Sequence, residues 1–438
     1  MQKWKICLAK CKATRSGAHL FAPFALLLAC ASLACSQNFT ARQAARAEKQ
    51  AWQKTLPKIL VQIKPPVFPI QTWTVEPQAL LQDARQAINQ SILLAHQQGG
   101  GQVIVPPGEY ALAGSLFLRS GVNLHLSKGV VLKFSTRPED YLPLVKVRWE
   151  GTVCYNYSPL IYAYQQENLA ITGEGIVDGQ ASVFFHTWKS QQKPDQALLR
   201  QMGNDTVPEV ARQFGPGHYL RPDGIQLFEC KNILLEDFTL QGSPFWSIHP
   251  VFCENVTARR LKVRPGTTND DGFDPESSRN VLIEDCDFIT HDDGVAIKAG
   301  RDQDAWGRPG SENIVVRNCS FKTTVGSGVC IGSEMSGGVR QVFVENCRIR
   351  SQKHGLNFKS NPDRGGLMAQ VFVRQIQVET AKYALTFTTD YHSWRGNHFP
   401  SLYHDFYLSN LRFGEVSEVG IHIVGLADAW IEGCFFAG

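Results

Sequence analysis

The 438-residue chain reads as an all-β protein, a parallel β-helix closed at its N-terminal end by a short capping helix. Three observations predict this. One segment pattern recurs from Asn232, Asn255, Asn280, Asn313, Gln341 and Gln370, with weaker copies from Asp405 and Asp428, at spacings of 23 to 35 residues. Each copy is a short apolar run such as Asn280-Val-Leu-Ile or Gln341-Val-Phe-Val, without helical period. Six residues after each start an apolar residue returns: Phe238, Leu261, Cys286, Cys319, Cys347, Ile376, Leu411 and Cys434. A repeat of this length with only β character means stacked coils that bury one face on each other.

The elements follow in order. Lys3, Lys5, Lys10, Lys12 and Arg15 precede the apolar run Leu20–Ala29, which predicts an export signal too short to span a bilayer. Leu27-Leu28-Ala29-Cys30 and Ser32-Leu33-Ala34-Cys35 both resemble a lipobox, so a lipid-anchored Cys30 or Cys35 is one expectation and ordinary cleavage after Ala34 the other. Residues 1–35 are therefore expected to direct the chain to the periplasm, the outer membrane or the exterior of a bacterium. Residues 36–76 are polar and then Pro-rich, and read as a linker or irregular lead-in to a single domain over 77–438. Within Pro77–Gln97, Leu80, Leu81, Ala84, Ala87, Ile88, Ile92 and Leu93 recur at helical spacing, and Gly99-Gly100-Gly101 stops the helix. Strands Gln102–Val105, Ser115–Leu118 and Val122–Leu126 follow, punctuated by Pro and Gly. Ala181–Gly217 and Asp390–Tyr403 interrupt the repeat, and insertions in a solenoid tend to wall its groove.

Composition narrows the function. A 43% hydrophobic content supplies a core, and a net charge of +4 permits an acidic ligand, while no basic run points to nucleic acid. Of twelve cysteines, Cys7, Cys11, Cys30 and Cys35 belong to the signal region. Four of the rest share one position of the repeat and predict an interior thiol ladder, with neighbours near enough to bridge, rather than a disulfide framework. No C-x-x-C or His pair marks a metal site, and a monomer is expected.

Each coil has a second registered strand beginning at Gly272, Gly294, Gly328, Gly355, Ala384 and Gly420. The residues just before these form a column: Asp271, Asp293, Ser327, His354, Tyr383 and Val419. A structural column would be apolar or a plain Asn ladder. This one carries two carboxylates, a hydroxyl, an imidazole and a phenol, and Asp292 adds a third carboxylate beside Asp293. Such crowding should raise at least one carboxyl pKa, and a protonated carboxyl beside an ionised one is what glycosidic cleavage requires. Two other uses remain open at this point: a calcium site, and an Asp that only caps a turn.

From about Gly99 to at least Gly425 the chain resembles glycoside hydrolase family 28, the polygalacturonases, particularly bacterial exo-acting members. The resemblance rests on Val103-Ile-Val-Pro-Pro-Gly-Glu-Tyr110, Ile171-Thr-Gly-Glu-Gly-Ile-Val-Asp-Gly179, Ser243-Pro-Phe-Trp-Ser-Ile-His-Pro250 and Ile331-Gly-Ser-Glu-Met-Ser-Gly-Gly338. It implies a right-handed, pectin-lyase-like β-helix, inverting hydrolysis of a pectic polysaccharide or oligosaccharide, and no cofactor. The family's N-T-D motif falls on Asn269-Asp270-Asp271, with Asp in place of Thr, and its D-D pair on Asp292-Asp293. By resemblance Asp292 is the general acid, Asp271 and Asp293 are the bases that activate water, and Tyr383 matches the family's late Tyr. Two motifs depart. The G-H-G position holds Gly326-Ser327-Gly328, and R-I-K reads Asn357-Phe358-Lys359, so a His and an Arg that help bind the acidic sugar are missing. Lys359, the retained Lys of that motif, is an expected ligand of the substrate carboxylate, and His354, one coil beyond the missing His, its expected partial replacement, with Asn269, Ser327 and Asn357 as further contacts. These departures put the substrate in question more than the reaction, and leave room for a rhamnogalacturonan or other modified-pectin hydrolase, a β-helix lyase, or a non-catalytic pectin-binding protein. His249, His291, Arg301 and Asp302 are weaker candidates, with a structural His249 and a surface Arg301–Asp302 pair as the expected reading.

Overall fold

The computed structural model describes residues 41–437 except 392–394, 397 and 428. The expected export signal with Cys30 and Cys35, and the expected repeat start at Asp428, lie outside the described residues.

The backbone explains why the repeat begins with Asn, Gln or Asp. Asn232, Asn255, Asn280, Asn313, Gln341, Gln370 and Asp405 all adopt left-handed φ values between 55° and 64°. Asn and Asp tolerate this region better than most residues, because a short polar side chain can hydrogen-bond locally. Here the side chains bond from coil to coil: Asn232 donates to Asn168 at 2.9 Å, Asn255 to Asn232 at 2.8 Å and Asn313 to Asn280 at 2.8 Å. Five residues later a second left-handed corner (Asp237, Arg260, Asp285, Asn318, Asn346, Gln375 and Asn410) turns the chain again. Two corners at a fixed interval lock the strand between them to one length, and so hold each coil in register with the next.

The result is a right-handed parallel β-helix. Strands Lys231–Glu236, Glu254–Arg259, Arg279–Glu284 and Ser311–Arg317 pair residue for residue along one sheet. Thr239–Gln241, Lys262–Val263, Asp287–Thr290 and Ser320–Thr323 run along a second. Val295–Ile297, Ser327–Ile331 and His354–Lys359 run along a third. One continuous apolar core fills the coils from Val75 to Leu408. The helix Pro77–Gln97 caps its N-terminal end through Leu80, Ala84, Ala87, Ile88, Ile92 and Ala95, whereas Leu81 and Leu93 face solvent.

Cys286, Cys319 and Cys347 are buried one above another as free thiols, in the predicted ladder. Cys434 is not part of it. It pairs with Phe406, in the column of Val371 and Val342, because Gly433 (φ 60°) supplies the left-handed corner just before it.

The stretch read as a linker is largely helical, since residues 41–62 form one helix with a π segment at Ala51–Thr55. Its Trp52, Leu56 and Ile59 cover an outward-facing column of Leu282, Val315, Phe343, Phe372 and Tyr407. Trp52 meets Phe343 edge-on at 5.3 Å, and the Arg374 guanidinium stacks 3.9 Å from the Trp52 ring. The polar composition of this segment hid one apolar stripe, and the strands it covers are apolar on both faces, which is the mark of two-sided burial. Trp52→Ala should free this helix: limited proteolysis within residues 41–62 is expected to accelerate while the β-helix body resists, and the loss of a buried Trp should cost about 3–5 kcal/mol locally.

Candidate active site

The predicted column exists. Phe273 bridges Val295, and Ser327, His354, Tyr383 and Val419 pair in succession, so Asp271, Asp293 and Ser327 sit on neighbouring rungs. Strand spacing sets these rungs about 4.8 Å apart.

Asp270, the residue in place of the motif Thr, organises the loops. Its buried carboxylate accepts the backbone N–H groups of His291 (2.9 Å), Asp292 (3.0 Å) and Gly266 (2.8 Å) and bonds the His291 ring at 2.9 Å. Asp270 therefore caps these turns and fixes the peptide that carries Asp292. Asn269, itself left-handed at φ 65°, donates to Asp292 Oδ2 at 3.3 Å, while its own Oδ1 accepts from Lys189 (2.5 Å) and Arg221 (2.9 Å). Gly326 lies against the Asp292–Asp293 peptide so closely that a Cβ would overlap it.

The two carboxylates of the pair have opposite surroundings. Asp293 is buried, which disfavours its charge, but Lys359 Nζ at 2.8 Å and the nearby Lys298 outweigh burial and hold its pKa below the usual carboxylate range. It also accepts the Ser327 N–H at 2.6 Å and the Cys330 thiol at 3.1 Å. Asp292 is half-buried, and burial together with the Asp293 charge pushes its pKa up. Asp271 is pushed up as well, first by burial and then by Asp292 and Asp293, with Lys298 pulling the other way at 3.3 Å. Lys298 also reaches Asp274 (3.4 Å) and Glu334 (3.6 Å), and sits 4.3 Å from the Trp246 ring. The cations facing Asp271 and Asp293 are thus ammonium groups of the chain itself. That arrangement favours a proton-transfer site over the calcium alternative, which needs carboxylates free to converge on an ion.

These groups line a cleft of ≈ 290 Å³ with Glu150, Lys189, Gln196, Arg200, Arg301, Ser333, Arg364 and Tyr391. Both insertions wall it. Lys193–Asn204 brings Gln196 and Arg200, the preceding Trp188–Gln191 helix brings Lys189, and Tyr391 comes from the later insertion.

The remaining sequence candidates are placed less directly. Lys359 is in the cleft, bound to Asp293. Ser327 and Asn357 are buried beneath it and joined at 3.3 Å, Ser327 serving Asp293 through its N–H. His354 and Tyr383 lie further along the column, outside the cleft lining. They stack at 5.2 Å, with Tyr383 bonded to Glu418 and His354 to Thr386. Burial, Lys353 and Lys359 bring the His354 pKa down to about 4, so it is neutral near pH 7 and does not replace the missing cation. Arg301 and Asp302 are buried and not a surface pair: Arg301 binds Glu334 at 2.7 Å and Asp302 binds Arg364 at 2.6 Å. His249 is buried between Asp223 and Glu276. Lys298 escaped sequence reading although Gly294-Val-Ala-Ile-Lys298 repeats the frame of Gly355-Leu-Asn-Phe-Lys359. Trp246 and Glu334 stand inside signature segments, whereas Glu150 and Lys189 come from non-repeating loops with no periodic signal.

The family model for glycosyl hydrolases family 28 matches residues 150–418, a span holding every acidic residue just described. The chain belongs to glycosyl hydrolases family 28. Among solved structures, a hyperthermoactive exopolygalacturonase from Thermotoga maritima is 33% identical, with a TM-score of 0.77 over 88% of this chain and 90% of that one. A probable polygalacturonase of Vitis vinifera is 29% identical over 69% of this chain and 58% of its own length. An endo-polygalacturonase of Pectobacterium parmentieri is 32% identical over 59% of this chain and 60% of its own. The chain thus matches about three-fifths of the length of these two curated relatives.

Replacing Asp270 by Ala would strand three backbone donors and an imidazole in a buried site. A loss of roughly 3 kcal/mol or more in unfolding free energy is expected, read from denaturant midpoints, with Asp270→Asn less damaging.

Proposed function

We propose that this family 28 chain is an inverting glycosidase that cleaves α-linked galacturonic-acid-type bonds in pectin or pectic oligosaccharides from one chain end. The observation that carries this is the unequal pair on one turn, Asp292 pushed towards its protonated form beside Asp293 held ionised. Asp292 would protonate the leaving glycosidic oxygen. Asp293, held ionised, would take a proton from the water that attacks the anomeric carbon from the opposite face, with Asp271 on the neighbouring rung holding that water, so the product anomer is inverted. Cations suit an anionic sugar: six Lys and Arg side chains line the cleft against five carboxylates, and protonated Asp292 removes one of those charges. The walls built by the two insertions, and the likeness to a solved exopolygalacturonase, favour exo over endo action. The N-terminal segment supports an exported enzyme working where pectic material is met, with a lipid anchor at Cys30 or Cys35 as the finer proposal.

A second reading, hydrolysis of rhamnogalacturonan or another modified pectin, is favoured by Ser327 and Asn357 standing where the motifs have His and Arg.

A panel of pectic oligosaccharides separates these. Wild type should release monomeric uronic acid of inverted configuration from homogalacturonan, followed by proton NMR of the fresh product. Asp292→Asn should lower kcat about 10²–10⁴-fold with little change in KM. Retained configuration, an ultraviolet-absorbing unsaturated product, or binding without turnover would each contradict the proposal.

The pH profile gives a further expectation. Activity needs Asp293 ionised, which sets the acidic limb, and Asp292 protonated, which sets the alkaline limb. Lys359 lowers both pKa values, so Lys359→Met should move both limbs of kcat/KM to higher pH. A profile that merely drops in height would show that Lys359 does not tune the pair.

A further inference from the structure

Five of the six cations around the cleft are already matched by carboxylates of the chain. Lys298 faces Asp271 and Asp274, Lys359 binds Asp293, Arg200 binds Glu150 at 2.7 Å, Arg301 binds Glu334 and Arg364 binds Asp302. Lys189 is the exception. Among the described residues no carboxylate lies within ion-pair distance of it, and its Nζ donates instead to the neutral Asn269 amide oxygen at 2.5 Å. It is half-buried on the cleft wall, and burial and Arg221 both push its pKa down. An ammonium held this way gains from an incoming anion more than a cation that already has one.

Its position is built, not accidental. The preceding residue, Trp188, is buried and packs edge-on against Phe185 (5.3 Å) and Tyr219 (5.5 Å) and at a tilt against Tyr157 (5.4 Å), which fixes the short helix that presents Lys189. Asn269 connects Lys189 directly to Asp292: its Oδ1 faces the lysine and its Nδ2 faces the acid. A sugar whose glycosidic oxygen meets Asp292 therefore lies next to the Lys189 ammonium.

We propose that Lys189, supplied by the insertion and not by the repeat, is a specificity-determining residue that binds the carboxylate of the uronic acid adjoining the scissile bond. It stands in for the cation lost where Asn357 occupies the motif Arg position. The inference rests on the glycosidase reading for the identity of the ligand, and its test uses binding, not turnover.

In an Asp292→Asn background, affinities for trigalacturonate and for its methyl ester are measured by calorimetry with Lys189, Lys189→Met and Lys189→Arg. Lys189→Met should weaken trigalacturonate roughly 10- to 100-fold and the ester much less, collapsing the preference for the free acid, and Lys189→Arg should restore most of it. Parallel weakening of acid and ester would mean that Lys189 only props Asn269, and would overturn the proposal. So would unchanged affinities, or a parent protein without acid preference. Failure of the glycosidase reading looks different: wild type would then bind the acid selectively and turn over nothing.

Discussion

The spacing of parallel strands, about 4.8 Å, is the constraint on which the rest of this molecule depends. Left-handed corners at Asn232, Asn255, Asn280 and their successors hold every coil to the same strand length. Side chains at equivalent positions are then forced to stack. In the interior this gives the thiol ladder and the stacked Phe288 and Phe321 rings, 5.3 Å apart. On the third sheet the same rule sets Asp271 directly beside Asp293, a placement that two like charges would never choose alone. The fold imposes the repulsion, and the site uses it.

The cations that answer that repulsion are distributed unevenly. Lys359 and Lys298 come from equivalent frames two rungs apart, and both end strands that the core holds rigid. Lys359 bonds Asp293, whereas Asp292, one residue earlier and half-buried, has among the described residues only the Asn269 amide as a side-chain hydrogen-bond partner. Two adjacent carboxyls in one sequence thereby acquire opposite tendencies. Asp292, whose pKa is pushed up, is the more exposed of the two, and Asp293, whose pKa is held down, is buried with its charge compensated by Lys359. The polar, cation-rich lining is what makes an anionic sugar the proposed ligand.

Much of this was legible in sequence wherever a residue belonged to the repeat. The column Asp271, Asp293, Ser327, His354, Tyr383 and Val419 could be written from spacing alone, since a strand pattern with period two admits no other register. Reading failed where periodicity ends. Residues 41–62 carry their apolar stripe within a polar composition, and only the two-sided apolar strands beneath betray that something covers them. Cys434 was misplaced because a Gly corner leaves no side-chain signature. Lys189 and Tyr391 reach the cleft from insertions, and Glu150 from the turn of an antiparallel hairpin outside the repeat, where no rule relates sequence distance to spatial distance. Position in a column also did not guarantee a place in the site, as His354 and Tyr383 lie beyond the cleft lining.

The central claim is the protonation asymmetry of one Asp pair. Carbon-13 NMR of carboxyl-labelled aspartate, titrated from acid to neutral pH, tests it without a substrate. Wild type should show carboxyls titrating above the ordinary aspartate range, and Asp292→Asn should delete one of them, while Asp293→Asn deletes a signal that stays ionised to low pH. If Asp292→Asn leaves every high-titrating signal in place, Asp292 is not held protonated, and the assignment of acid and base in this cleft is wrong.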